Sequence, residues 1–359
     1  MFGGSTTSFG ARILRFTIPV ALILLTFISP LAAGAESGYA TVFLYHKFNE
    51  PVSPSTSIST EEFEAQLRYL KDNRYNVIGL PELVSLIKDK AEIPPKTVAL
   101  TIDDGYRSFY SHAFPLLRKY GFPFTVFLYM EAVGRYPDYM TADELADIMK
   151  YDKATLGNHS YSHQRLARPP EGMTREDYLQ LIEDDLARSE KRFGKLLGYR
   201  PALYAFPYGE YNKEYVEMLK KHGYSAAFTQ DPAAIGVFSD PYLLPRYASV
   251  GSWAKMEKFT EFLSTEPLDV EIMYPPYGLL DENPPGRIEG RIANLGIYRN
   301  PGIYVSELGW IRPEINPERE TIRAGVEQRL KREVNRIGFT AVNAETGRKA
   351  TFFYMIILR

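Results

Sequence analysis

Three short stretches hold the residue types best suited to chemistry: Thr101-Ile102-Asp103-Asp104-Gly105-Tyr106, His159-Ser160-Tyr161-Ser162-His163 and Phe206-Pro207-Tyr208-Gly209. The chain has only five histidines in 359 residues, and two of them sit four apart. With one carboxylate of the Asp-Asp step, that pair can place three ligands on a divalent ion. Three protein ligands leave coordination room for water and substrate, as in a catalytic rather than a structural metal site. Imidazole plus carboxylate makes zinc the default, with nickel, cobalt and iron also compatible. The i, i+4 spacing of His159 and His163 is read as one helical turn with both rings on one side. Taken alone, Asp-Asp-Gly is an ordinary surface turn and a lone histidine an ordinary polar residue. The combination carries the reading.

The elements around these stretches must bring them together. On a regular strand, Asp103 and Asp104 would point to opposite faces. They share a site only if the chain leaves the strand there, which Gly105 permits. One carboxylate could then ligate while the other holds a base position beside bound water. Apolar runs over 41–45, 98–102, 125–129, 202–206, 226–229 and 243–244 read as strands, with helical patterns between them. Alternating strands and helices predict an α/β fold with a parallel sheet or barrel. Several polar residues directly follow apolar runs: His46, Asp103 and Asp104, Tyr208 and Arg246. In β/α barrels the site is built where the strands end.

The three motifs, in this order and separation, resemble those of the polysaccharide deacetylases of carbohydrate esterase family four, the NodB-homology domain, over about 40–265. The resemblance implies a distorted, incomplete β/α barrel. It implies Asp103 as general base, and Asp104, His159 and His163 as metal ligands. The third motif, Phe206, Pro207 and Tyr208, would line the acetyl pocket, with the Tyr208 backbone N–H on the oxyanion. Two departures stand out. Ala205 occupies the position of an arginine that braces the base. Arg200 would sit roughly 20 Å away at about 3.3 Å per residue, so Arg246 is the better candidate. No histidine follows His222, so the late general acid is missing. The early Tyr45-His46-Lys47-Phe48 resembles the circularly permuted branch that includes poly-N-acetylglucosamine deacetylases, which makes His46 the expected acid. His222 reads as a helix C-terminus and His112 as structural.

The remaining sequence bounds the setting. Arg12 and Arg15 precede an apolar run ending in Ala33-Gly34-Ala35, which reads as an export signal or N-terminal membrane tether over 1–35. The protein is therefore expected outside the cytoplasm: periplasmic, cell-envelope or secreted. A net charge of −2 offers no field for nucleic acid. With no cysteines, stability must come from packing. A barrel is expected over 36–266 and an accessory module over 267–359, β-containing and either α+β or a β-sandwich. Within it, Asn316-Pro317 reads as a helix start, followed at helical spacing by Ile322, Val326, Leu330, Val334 and Ile337. A hairpin is expected around 343–348. The expected substrate is an acetylated polysaccharide, foremost an N-acetylglucosamine polymer. Peptidoglycan or xylan-like chains, or an inactive carbohydrate-binding barrel, are the alternatives. The accessory module reads as a stabilising appendage.

Overall fold

Five of the six apolar runs form strands in the computed structural model, which describes residues 1–8, 10 and 38–359, and with two further strands they make seven in parallel. These are β1 (Ala40–Tyr45), β2 (Thr97–Ile102), β3 (Phe124–Leu128), β4 (Ala154–Asn158), β5 (Leu203–Ala205), β6 (Ala226–Phe228) and β7 (Tyr247–Ala248). The sheet order is β7-β1-β2-β3-β4-β5-β6, with Asn76–Val77 added beside β2. The sheet curls, but β6 and β7 do not pair. Among the described residues a single bridge, Phe228 with Leu244, spans the approach to the gap. The result is an incomplete β/α barrel.

Continuous burial of β1 and β2 follows from helices on one face and a packed barrel interior on the other. On the outer face Phe43, Val98, Leu100 and Ile102 pack with Phe63, Leu67 and Leu70 of α1 (Thr60–Asp72) and Phe259 of α7 (Met256–Leu263). A second cluster joins Val42, Ala99, Phe127, Ala205 and Phe228 with Leu80, Leu83, Val84 and Ile87 of α2 (Leu80–Lys88). The Ser59 hydroxyl caps α1 by accepting from the Glu62 N–H at 3.1 Å. Between α2 and α7 run α3 (Phe114–Tyr120), α4 (Ala142–Ile148), α5 (Arg175–Leu197) and α6 (Lys213–Lys221).

The C-terminal strands form two antiparallel-rich sheets. One contains β8 (Val270–Tyr274), β9 (Gly286–Ile292) and β12 (Thr321–Val326). The other contains β10 (Tyr298–Val305), β11 (Gly309–Ile311), β13 (Val334–Asn343) and β14 (Lys349–Leu358). Ile288, Ile292, Ile322 and Val326 from the first pack with Ile303, Ile337, Phe339 and Ile356 from the second, a β-sandwich core. The expected helix from Asn316 to Ile337 is absent. Asn316 does begin a capped turn, its side chain accepting from the Arg319 N–H at 3.1 Å. The chain then enters β12, where Ile322, Ala324 and Val326 are buried in alternation. Pairing with β9 satisfies the backbone, so the period of two prevails over the helical spacing. The hairpin around 343–348 forms as β13 and β14.

Residues 38–359 pack as one unit. Met355 and Ile357, on the outward face of β14, join the barrel core around Tyr204, Phe206, Tyr211 and Tyr215. The export segment expected over 1–35 falls largely on 11–37, outside the described residues. Among the described residues no helix is long and apolar enough to cross a membrane.

Candidate active site

Four strand exits converge. His46 follows β1, Asp103 follows β2, His159 follows β4, and the Phe206–Gly209 turn follows β5. Asp103 continues the ladder, its N–H donating to the Tyr45 carbonyl at 2.9 Å. Asp104 then takes a left-handed backbone, φ 70°, and Gly105 another, φ 82°. That reversal lets two sequential carboxylates face one site. A Cβ on Gly105 would lie 2.8 Å from Leu128. The Asp104 conformation is costly for a side-chain-bearing residue, of order 1–3 kcal/mol.

His159 and His163 do not lie on a helix. The strand β4, which sequence reading missed, ends at Asn158, and 159–163 is a tight loop with Ser160 at φ 72° and His163 at φ 52°. The five residues Ala-Thr-Leu-Gly-Asn carry little apolar signal, so the strand was invisible to periodicity. Side chains hold the loop. Ser160 Oγ accepts the N–H groups of Ser162 and His163 at 3.1 and 3.0 Å. Asp185 on α5, 5% exposed, accepts from the N–H groups of Tyr161 and Ser162, both at 2.9 Å, and from the Ser162 hydroxyl at 2.6 Å. Asp185 was not singled out from sequence. The available signal was an acid inside the buried stripe Ile182, Leu186, Ser189 of α5.

Asp104 Oδ1 lies 3.4 Å from His159 Nε2 and 3.1 Å from His163 Nε2. The three donor atoms fall within 4.8 Å of one another. Among the described residues Asp104 Oδ1 is buried without a hydrogen bond of good geometry, although both imidazole nitrogens lie close to it. His159 Nδ1 meets the Ala205 carbonyl at 2.8 Å. Donation there fixes the tautomer and leaves the Nε2 lone pair aimed at Asp104. A buried carboxylate oxygen facing two imidazole nitrogens fits a divalent cation. Burial pushes the Asp104 carboxyl upward, but the neighbouring His159 and His163 outweigh it and hold it well below the usual range.

Asp103 is fully buried against Arg246, itself fully buried. Arg246 Nη1 donates to Asp103 Oδ1 at 2.8 Å and Nη2 to Oδ2 at 2.9 Å, the bidentate geometry of a fork on a carboxylate. Nη1 also reaches Thr101 Oγ1 at 3.2 Å, and Nε reaches the Thr229 carbonyl at 2.9 Å. The sequence pattern expects Arg246 after a strand at 243–244. Instead it leads into β7, while Leu244 makes only an isolated bridge. Burial raises the Asp103 carboxyl, but the charges of Arg246 and His159 prevail and lower it. Arg200, at the far end of the sheet, pairs with Glu190.

His46 is partly buried, and its Nδ1 has no hydrogen-bond partner among the described residues. Burial holds its imidazolium below the ordinary value, against the opposing pull of Asp104 and Asp103. His112 is exposed, and His222 caps α6 while pairing with Glu183 and Glu190.

The third motif divides. Phe206 is fully buried, its ring packed against Tyr204, Tyr211 and Tyr215, so its side chain faces the core rather than a pocket. Pro207 is also buried. Tyr208, 39% exposed, stands beside His163 with ring centroids 4.7 Å apart. Its backbone is left-handed at φ 60°, followed by Gly209 at φ 68°. The Arg165 guanidinium lies 3.8 Å over the Tyr208 ring. Arg165 and Arg168 both pair with the buried Glu210, which sequence reading also missed. Tyr129 flanks the other side of His163 at 5.3 Å. Lys47 lies 4.5 Å over the Tyr106 ring. The mouth is therefore walled by aromatic rings with polar tips, surfaces suited to sugars.

Known proteins share this fold. The polysaccharide deacetylase family matches residues 90–227. The chain is 26% identical over 215 residues to the poly-beta-1,6-N-acetyl-D-glucosamine N-deacetylase of Staphylococcus aureus MRSA252, covering 59% of this chain and 74% of that protein. Among solved structures, IcaB from Ammonifex degensii superposes with a TM-score of 0.57 at 25% identity, covering 63% of this chain and 97% of that one. The Streptococcus pyogenes deacetylase PplD, solved with acetate, shares the fold with a TM-score of 0.56 at 19% identity, covering 63% and 98%. Fold and relatives thus agree for the N-terminal part of the chain: it is similar to polysaccharide deacetylases over residues 90–227 and carries a NodB-type deacetylase domain, a domain of hydrolases.

Proposed function

We propose that this protein removes N-acetyl groups from an extracellular or cell-envelope polysaccharide, foremost an N-acetylglucosamine polymer. The observation that carries the reading is the division of labour between sequential carboxylates. Asp103 is gripped by Arg246, while Asp104 turns a buried oxygen toward His159 and His163. Asp104, His159 and His163 would hold a divalent cation, with zinc the default from the ligand set. Such an ion supplies Lewis acidity toward the acetyl carbonyl and makes water a stronger nucleophile.

The chain's own groups do the rest. Asp103, kept ionised by Arg246, accepts the proton of the attacking water. The Tyr208 backbone N–H donates to the oxygen on which negative charge develops. His46 protonates the departing amine, so that the C–N bond breaks to a neutral amine and acetate. Asp185 and the Ala205 carbonyl keep the two imidazoles in place. Tyr129, Tyr106 and Tyr208 flank the sugar. The relatives that act on poly-N-acetylglucosamine support the substrate class, as does the general acid on the first strand.

The test is acetate release from β-1,6- and β-1,4-linked N-acetylglucosamine oligomers, peptidoglycan and acetylated xylan, read by mass spectrometry after loading with zinc, cobalt or nickel. Asp103→Asn should abolish release while retaining metal, and Asp104→Asn should lose metal. Release from none of these glycans, with metal bound and the fold intact, refutes the reading.

A further inference from the structure

The segment that seats Arg246 is clamped from the β-sandwich. Thr229 and Asp231 lie just beyond β6. The Thr229 carbonyl accepts from Arg246 Nε at 2.9 Å, and the Asp231 carbonyl accepts from the Arg246 backbone N–H at 3.1 Å. Asp231 in turn donates its N–H to Thr229 Oγ1 at 3.2 Å. Asp231 is 1% exposed, and its carboxylate is held chiefly by two side chains. Oδ2 accepts from the Tyr211 hydroxyl at 2.8 Å, and Oδ1 accepts from Nε of Arg336 on β13 at 3.1 Å. The Tyr211 hydroxyl itself accepts from the N–H of Met355 on β14, at 3.2 Å. Both central strands of the sandwich sheet therefore reach the node that positions Arg246.

We propose that Arg336 is a positioning residue for the catalytic centre: it pins Asp231, and through the 229–231 segment it seats Arg246 on Asp103. The inference rests on the reading of Asp103 as the base. Burial pushes the Asp231 carboxyl upward, and Arg336 is the only full charge that opposes it among its named partners. Without Arg336, a buried carboxylate would be left with neutral hydroxyl partners only, Tyr211 and Thr229. It must then take a proton or admit water, and either outcome moves the 229–231 backbone. Two of the Arg246 contacts, through Nε and through its own N–H, are to carbonyls of that segment. A shift there is transmitted to the guanidinium, and small displacements of a positioned group cost rate rather than binding. The β-sandwich is on this view part of the active-site scaffold.

The experiment measures kcat and KM separately for Arg336→Met, Arg336→Lys and Tyr211→Phe on a β-1,6-linked N-acetylglucosamine pentamer, with Ile288→Val in the sandwich core as a control for lost stability. Arg336→Met should lower kcat about tenfold with KM within about twofold. Arg336→Lys should restore part of the loss, and Ile288→Val should leave kcat unchanged. Combined with Arg246→Lys, the Arg336→Met loss should be smaller than the product of the single losses, because both act on one contact. Unchanged kcat in the Arg336 variants, or strictly multiplicative losses with Arg246→Lys, overturns the proposal. If Arg336→Met does not fold, Arg336→Lys and Tyr211→Phe decide by the same kcat criterion. Asp103→Asn separates the two readings. An active Asp103→Asn removes the base assignment, whereas an inactive one beside fully active Arg336 variants removes only this inference.

Discussion

Replacing Arg246 with Met should convert the stability of the metal-free protein from acid-sensitive to base-sensitive. In the intact protein four side-chain hydrogen bonds, at 2.8, 2.9, 2.9 and 3.2 Å, hold the guanidinium, two of them on Asp103. Both partners are fully buried. Removing one member of such a pair costs about 3–5 kcal/mol, because the other charge is left unpaired. The sign of the pH effect follows from the carboxyl. With Arg246 present, the folded pKa of Asp103 is depressed. Its contribution to stability is therefore present above the unfolded carboxylate value, near 3.9, and is lost as pH falls through the lower folded value. Without Arg246, burial is the largest remaining influence and raises the folded pKa. Deprotonation then destabilises, and stability falls as pH rises above the unfolded value. Urea unfolding of the chelator-treated protein between pH 4 and 7 measures this directly. The gap between parent and Arg246→Met should widen with pH, approaching 3–5 kcal/mol at neutrality. A gap below about 1 kcal/mol, or one independent of pH, would mean that Arg246 does not hold a buried ionised carboxylate, and the brace would have to be found elsewhere.

Other substitutions probe the rest of the site. His46→Ala should lower kcat about 10²–10⁴-fold with metal content unchanged. In the parent, burial lowers the His46 pKa, so the protonated acid is lost as pH rises through a value below 6.5, and the alkaline limb of the rate profile should begin on the acid side of neutrality. Rate profiles of the parent and His46→Ala compare this, and an unchanged alkaline limb in the variant counts against the assignment. Asp185→Asn should weaken metal binding about 10–100-fold by loosening the His159–His163 loop, as isothermal titration with zinc would detect. Gly209→Ala places a Cβ 2.6 Å from the Gln230 backbone nitrogen at φ 68°, so it should destabilise the fold by about 1–3 kcal/mol and reduce kcat by displacing the Tyr208 N–H.

The chemistry was largely legible in the chain, because ligands and base sit in short motifs at the ends of apolar runs. Asp103, Asp104, His159 and His163 could be named from type and spacing, and the missing late histidine directed attention to His46. The geometry behind the names was not legible. The histidine pair lies in a left-handed loop after a strand too short and too polar to show a period, and its four-residue spacing only mimics a helical turn. Phe206 stands in the motif, yet its ring belongs to the core.

Sequence alone determined which atoms could meet: an Asp-Asp step freed by Gly105, two imidazoles, and an arginine that had to come from somewhere other than position 205. Tertiary structure decided how they meet. Arg246 reaches Asp103 across 143 positions of sequence, and Arg336 reaches Asp231 across 105. No local pattern encodes either contact, since each depends on which buried charge is left needing a partner once the sheet has curled and the sandwich has docked against it.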